Sequence, residues 1–262
     1  MRFENKSVII TGGGGKIAKA YATAFAKEGA NLCLPDIISA DSMVKAIQDM
    51  GGTAISMACD VSNEESVKAM VDETVKQFGT VDILINNAGI SQRSQAEETA
   101  LEVDRKIMEV NFFAQVNLTK SLWPLLINSN HANIVLISSV VGTFGFPQRS
   151  AYSASKHALE GFFESWMLEN KRENIFFTTI SPGRIYTNIS YSALKADGST
   201  HQQLDEGQAK GISAEACAKK IINGIIKNKR KVYVAQQEMV LIILRKYVPF
   251  LFFKLVKKLQ LK

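Results

Sequence analysis

No stretch of about 18 consecutive apolar residues occurs in the sequence, which excludes a conventional transmembrane helix. The opening residues Met1-Arg2-Phe3-Glu4-Asn5-Lys6 lack the apolar segment and cleavage site of a secretory signal. Cysteine is scarce: Cys33 and Cys59 fall in apolar runs that read as buried strands, and Cys217 in a helical pattern. With no CxxC pair and no Cys/His cluster, neither a metal site nor a disulfide framework is expected, and a reducing, cytoplasmic setting is. Internal repeats, low-complexity tracts and interdomain linkers are also missing. The chain therefore reads as one large domain, and 262 residues suffice to build a core without covalent staples.

What is present is ordinary globular material, 46% hydrophobic and 21% charged. The net charge of +6 is unevenly placed. Lys227, Lys229, Arg230, Lys231, Arg245, Lys246, Lys254, Lys257, Lys258 and Lys262 crowd the end of the chain, opposed there only by Glu238. Such a concentration attracts anionic lipid, nucleic acid or an acidic partner, or forms a solvated face.

Short β-branched runs alternate with longer helical patterns. Strands are expected at Ser7–Thr11, Asn31–Leu34, Ala54–Ala58, Val81–Ile85, Asn133–Ser138, Ile175–Ile180 and Lys231–Val234. Helices are expected at Ile17–Lys27, Ser42–Asp49, Glu64–Phe78, Ala151–Asn170 and, as one long element, from about Leu101 to Ile127. Strands apolar on both faces and separated by helices imply an α/β fold, a Rossmann-type doubly wound parallel sheet with helices on both sides. Residues 1–235 would form this catalytic domain, with Asn188–Gly211 as a mobile lid carrying a short helix. Residues 236–262 would form a basic amphipathic helical extension.

Thr11-Gly12-Gly13-Gly14-Gly15 joins the first strand to the first helix, where glycines let backbone approach a pyrophosphate and the helix N-terminus attracts it. Asp36, closing the second strand, is placed to accept hydrogen bonds from the adenosine ribose and to repel a 2′-phosphate. It favours NAD(H), with NADP(H) left open. Asn86-Asn87-Ala88-Gly89 ends the fourth strand, where the asparagines satisfy loose backbone groups and also line the path of a dinucleotide. Tyr152 and Lys156 are one helical turn apart on one face. A phenol titrates near pH 10, and a neighbouring ammonium favours its ionised form. Ser139, at the end of the fifth strand, adds a hydroxyl for the same substrate oxygen.

These motifs, with Asp60-Val61, Asn111, Ser138-Ser139, Pro182-Gly183 and Thr187, resemble the short-chain dehydrogenase/reductase family over residues 5–235. The resemblance implies an oxidoreductase acting on CH–OH groups. Tyr152 would be its acid–base, Ser139 would hold the substrate oxygen, and Lys156 would hold the nicotinamide ribose and tune the tyrosine. Asn111 would keep the water of a proton relay. Asp60 and Val61 would contact adenine, and Pro182, Gly183, Ile185 and Thr187 the nicotinamide and phosphates. Thr11, Gly12, Gly14, Gly15, Lys16, Ile17, Asp36, Asn87, Ala88 and Gly89 complete the expected cofactor set. The family's interface would fall on the helices at 101–127 and 151–170, giving a homodimer or homotetramer.

Two positions depart from the family's Thr-Gly-x-x-x-Gly-x-Gly loop: Lys16 and Ala18 stand where it has glycines. If Lys16 has ordinary helical dihedrals it is tolerated, and its ammonium is within reach of a phosphate; if positive φ is required, affinity falls. A weakened loop would leave a catalytically poor dinucleotide-binding protein, the competing expectation. Residues 188–262 resemble the tail of a membrane-associated branch similar to the 11β-hydroxysteroid dehydrogenases and to an acyl/alkyl-dihydroxyacetone-phosphate reductase, which implies an apolar alcohol or ketone substrate. Leu241, Leu244, Val248, Leu251, Phe252, Leu255, Val256 and Leu259 recur at helical spacing, broken at Pro249. The tail then has two readings, a peripheral membrane contact or packing over the cleft or a second subunit. Its interleaved apolar residues argue against nucleic acid. Phe144, Phe146 and Tyr186 point to a hydrophobic substrate, while Arg149 leaves room for an anionic group.

Overall fold

The computed structural model describes residues 1–259. The last part of the expected tail, residues 260–262, lies outside the described residues. Seven parallel strands form one sheet: β1 (Ser7–Ile10), β2 (Asn31–Asp36), β3 (Thr53–Ala58), β4 (Ile83–Asn86), β5 (Ala132–Ile137), β6 (Ile175–Pro182) and β7 (Lys231–Val234). Their order is β3-β2-β1-β4-β5-β6-β7, the doubly wound arrangement expected from the alternating pattern. The chain reverses direction of travel between β1 and β4, and a crevice opens there beyond the carboxyl ends of the strands.

Continuous apolar runs make this possible, because β1, β4 and β5 are buried on both faces. On one side, Val8, Ile10, Leu32, Leu34, Ile83 and Ile85 pack against Tyr21, Phe25, Ile47 and Ile221. On the other, Ile9, Leu84, Ile134 and Leu136 meet Val67, Met70, Leu122 and Phe163. The flanking helices are α1 (Lys16–Ala26), α2 (Asp41–Asp49), α3 (Glu64–Phe78), α4 (Leu101–Met108), α5 (Ala114–Leu126) and α6 (Ser150–Glu169). After β6 come the short α7 (Glu206–Ala209) and α8 (Ala214–Ile226), then α9 (Glu238–Tyr247) and α10 (Pro249–Leu259). Asn63 caps α3 by accepting from Ser66 N–H at 2.8 Å.

Three local differences from the periodicity have physical causes. β2 runs on to Asp36 through Pro35, because its pairing with β1 ends at Cys33 while β3 continues to match it up to Ala58. The helix expected over 101–127 is interrupted by a π-turn at Glu109–Phe113, the kind of widened turn that places a side chain at a functional site. The tail is two helices rather than one. The break falls at Pro249, which has no N–H to continue α9 and instead serves as the first residue of α10.

Candidate active site

The crevice holds two adjoining cavities that share Ile17, Asn87, Gly89, Thr187 and Ile189. The first is lined by Gly12, Gly15, Lys16, Asp36, Asp60, Val61 and Ala88. Gly12 has φ +67°, and a side chain there would press on Ala88 backbone, so glycine is required. Lys16 opens α1 without positive φ, which settles the condition set by the sequence: the lysine fits the loop. Its ammonium lies 4.5 Å from the centre of the Tyr186 ring. The α1 N-terminus has no side-chain cap, so its first-turn N–H groups remain free for an anion.

Asp36 accepts from Gly14 N–H at 2.8 Å and from Ile37 N–H at 2.7 Å, which fixes its carboxylate at the edge of this cavity. Thr11 and Gly14 line neither cavity. The Thr11 hydroxyl accepts from Asn87 N–H and Ala88 N–H, both at 3.0 Å, and Asn87 Nδ2 returns a bond to Thr11 carbonyl at 2.7 Å. These two residues tie the β1 and β4 loops together, and Asn87 also reaches the cavity. Asn86 faces away, donating to Thr119 Oγ1 at 3.0 Å.

The second cavity is lined by Ser139, Tyr152 and Lys156, with Pro182, Gly183 and Ile185 from the end of β6 and the turn after it. The tetrad expected from the sequence is therefore assembled, with Asn111 one layer behind. Tyr152 and Lys156 are both buried. The Lys156 ammonium donates to Ile137 carbonyl at 2.9 Å and stands 5.8 Å from the Tyr152 ring centre. The Ser139 hydroxyl caps the 3₁₀ turn Val140–Gly142 by accepting from Val141 N–H at 3.4 Å, and it donates to Pro182 carbonyl at 3.4 Å. Asn111, on the π-turn, accepts from Ile90 N–H at 2.8 Å and donates to Ile90 carbonyl at 2.9 Å and to Ser155 Oγ at 3.0 Å. Gly89 separates Asn111 from Lys156; a Cβ there would lie 3.0 Å from Asn111 Oδ1 and 3.6 Å from the ammonium.

Burial shapes the charges. It pushes the Lys156 ammonium down to about 8, partly opposed by Glu160. It pushes the Tyr152 phenol up, and the influences that oppose this are Arg149, the neighbouring Ser139 hydroxyl and Arg93, in that order. A group that spans neutral pH beside a buried hydroxyl pair is suited to proton transfer at a substrate oxygen.

Sequence reasoning missed several supports. Gln92 is fully buried; its Oε1 accepts from Ala151 N–H at 2.9 Å and Tyr152 N–H at 3.3 Å, capping α6 where Arg149 supplies no cap of its own. The lack of Ser, Thr, Asp or Asn at that N-cap is the one available signal. Glu160, one turn past Lys156, accepts from Ser138 Oγ at 2.7 Å and pairs with Lys231 at 2.6 Å. Gln208 of α7 donates to Ile185 carbonyl at 2.7 Å and Thr187 Oγ1 at 3.2 Å, tying the 188–211 segment to the turn after β6. Asp205 in that segment meets Arg93 and Arg149.

The tail reaches the cavity as well. Phe252 and Val256 of α10 are buried with Val140, Val141, Phe144 and Tyr152, and the Phe252 and Phe144 rings are 5.3 Å apart. Leu241 of α9 lines the cavity together with Phe144 and Phe146. Tyr186 is 45% exposed and lines neither cavity.

Residues 6–197 match the short chain dehydrogenase family model. The chain belongs to this family of oxidoreductases. Among its relatives, dehydrogenase/reductase SDR family member 7B of Mus musculus is 36% identical over 263 residues, covering 96% of this chain and 80% of that one. Dehydrogenase/reductase SDR family protein 7-like of Drosophila melanogaster is 34% identical, covering 98% and 81%. A short chain dehydrogenase/reductase from Burkholderia phymatum, solved in complex with NAD, has the same fold with a TM-score of 0.84 at 23% identity, covering 96% of both chains. Levodione reductase aligns with a TM-score of 0.76 at 26% identity, covering 88% of this chain and 96% of that one.

Proposed function

We propose that the protein transfers hydride between NAD(H) and a hydrophobic secondary alcohol or ketone, with Tyr152 as acid–base. The observation that carries this reading is the convergence of Ser139, Tyr152 and Lys156 on one wall of a cavity that adjoins the glycine loop. The residues present fit a dinucleotide: an uncapped helix N-terminus for its pyrophosphate, Asp36 for a ribose, and Asp60 and Val61 beside the adenine end. Lys16 adds a cation at the same loop, so the competing view of a weak nucleotide binder loses its main support. When bound, the nicotinamide supplies or accepts the hydride.

The protein does the rest. Ser139 and Tyr152 hold the substrate oxygen, and Tyr152 gives it a proton during reduction or takes one during oxidation. Lys156, held on Ile137 carbonyl, is placed beside both the phenol and the Gly89 edge of the cofactor cleft. Asn111 keeps the Ile90 loop in place behind it, consistent with a route for protons toward solvent. Phe144, Phe146, Val141, Ile189 and Leu241 give the substrate cavity its apolar wall. The segment at 188–211 and α9–α10 serve as its cover.

The two readings of the tail fall on opposite faces. Phe252 and Val256 are spent on the cleft, while Val240, Ile243, Tyr247, Phe250 and Phe253 remain at least half exposed among Arg245, Lys246, Lys254 and Lys257. That outer face fits peripheral contact with anionic membrane, tested by flotation with anionic liposomes. The face of α4–α6, with Phe113 and Leu168 exposed, fits a homodimer or homotetramer contact, tested by light scattering. For the reaction itself, a screen of hydrophobic ketones and alcohols with both cofactors is the test. Turnover that is lost in Tyr152→Phe while NADH binding persists is expected; undiminished turnover in that variant refutes the assignment.

A further inference from the structure

Tyr152 is flanked by two cations at equal distance. The Lys156 ammonium and the Arg149 guanidinium carbon each lie 5.8 Å from its ring centre, one from within α6 and one from its start. Arg149 is mostly buried and held from two sides, by Ser91 Oγ at 2.6 Å and by the Asp205 carboxylate at 3.5 Å. Asp205 is also gripped by Arg93 from the loop after β4, so two guanidiniums share one carboxylate and a net positive charge remains beside the tyrosine.

The other charged groups around the phenol leave this excess standing. His201, in the same segment as Asp205, is pushed toward its neutral form by burial and by Arg93, Lys195 and Arg149. Arg184, after β6, is paired with Glu238 of α9 at 3.8 Å. Burial pushes Arg149 down to about 10, which still leaves it cationic throughout the neutral range, whereas Lys156 falls to about 8. Arg149 is thus the steadier of the two charges, and it is the first of the influences that favour the ionised phenol.

We propose that Arg149 is a positioning residue for the Tyr152 proton, a second cation beside Lys156 that favours the phenolate, and that Asp205 sets how much of this charge the tyrosine feels. A full charge several ångströms from the phenol changes its ionisation equilibrium about ten- to a hundredfold at the screening typical of protein sites, and an adjacent carboxylate removes much of that. Because Asp205 belongs to the 188–211 segment, its departure from Arg149 makes Tyr152 more acidic, which links the position of the cover to the readiness of the acid–base.

The proposal rests on Tyr152 as the acid–base, and its test needs no turnover. Protein carrying ¹³Cζ-labelled tyrosine is titrated by NMR, with and without NAD⁺, and the Tyr152 resonance is assigned by its loss in Tyr152→Phe. Arg149→Gln is expected to lower the ionisation constant at least about tenfold, Arg149→Lys to restore most of it, and Asp205→Asn to raise it. A purely structural role would not move the two sites in opposite directions. An unchanged midpoint in Arg149→Gln, or a less acidic Tyr152 in Asp205→Asn, overturns the proposal. If Arg149→Gln does not fold, Arg149→Lys and Asp205→Asn decide. Failure to bind NAD⁺ would instead count against the redox reading.

Discussion

The Asn111 side chain pairs with both backbone polar groups of Ile90, accepting the N–H at 2.8 Å and donating to the carbonyl at 2.9 Å. The pairing depends on the π-turn at Glu109–Phe113, which widens the helix where Asn111 faces the loop after β4. That loop carries Gly89 past Lys156 and Gln92 to the start of α6.

Asn111→Leu therefore strands an N–H and a carbonyl in a buried place. Leaving such a group without its partner costs about 1–3 kcal/mol, and the expected loss of stability is about 2–3 kcal/mol in urea unfolding. Because the same loop positions both the cofactor edge and the α6 N-terminus, turnover should fall by more than the loss of folded protein accounts for. Unchanged stability would show that the Ile90 loop is held by other contacts.

Much of this layout was legible from residue patterns. Uninterrupted apolar runs such as Ile83-Leu84-Ile85 fit a sheet covered on both faces, and their alternation with helices pointed to the doubly wound arrangement. Spacing also assembled Ser139, Tyr152 and Lys156, because strand ends and helix turns have fixed geometry. The π-turn was not readable, since the contact it serves joins Asn111 to a loop 21 positions away. Gln92 was invisible for the same reason: a glutamine capping another element's helix carries no local signature. Asp205 lay in the weakly patterned 188–211 segment, whose meaning comes from the arginines it meets. Lys16 looked like a defect until the backbone placed the positive φ at Gly12 instead.

In the proposed reading, Asp36 sets the choice of cofactor. Its carboxylate is fixed by the Gly14 and Ile37 N–H groups, so it cannot swing away from a 2′-phosphate. Asp36→Asn keeps an acceptor for these bonds and removes the charge. NADPH affinity should rise about tenfold or more and NADH affinity should fall slightly, read by fluorescence titration at fixed ionic strength. An unaltered ratio between the two would place the adenosine ribose elsewhere.

Lys156 carries a stability cost with a definite pH signature. Its value in the fold is about 8 against 10.5 for the free side chain, so between those pH values the unfolded chain holds a proton that the folded one has released. Stability from this group therefore rises with pH through that window, and the full penalty, about 3 kcal/mol, applies below about pH 8. Lys156→Met removes the penalty but leaves the buried Ile137 carbonyl without its donor, which costs about 1–2 kcal/mol. The variant should be inactive yet about 1–2 kcal/mol more stable than the parent at pH 7, with the advantage gone by pH 10.5. Urea unfolding across this range measures the difference, and a constant offset would mean that Lys156 is charged without penalty.

The last prediction concerns the tail. Phe252 is 2% exposed, against the Phe144 ring, whereas its neighbour Phe250 is 77% exposed. Truncating a buried phenylalanine costs about 3 kcal/mol or more through lost contacts and the cavity left behind. Since α10 joins the body through the cluster around Phe144 and Tyr152, that cost should fall on the docking of α9–α10 rather than on the sheet. In Phe252→Ala, tryptic cleavage at Arg245, Lys246 and Lys254 should accelerate about a hundredfold, while the main thermal transition moves little. Phe250→Ala, which removes only exposed surface, should leave cleavage unchanged. If Phe252→Ala instead lowers the melting temperature of the whole protein, α10 is part of the cooperative core and cannot open separately to admit substrate.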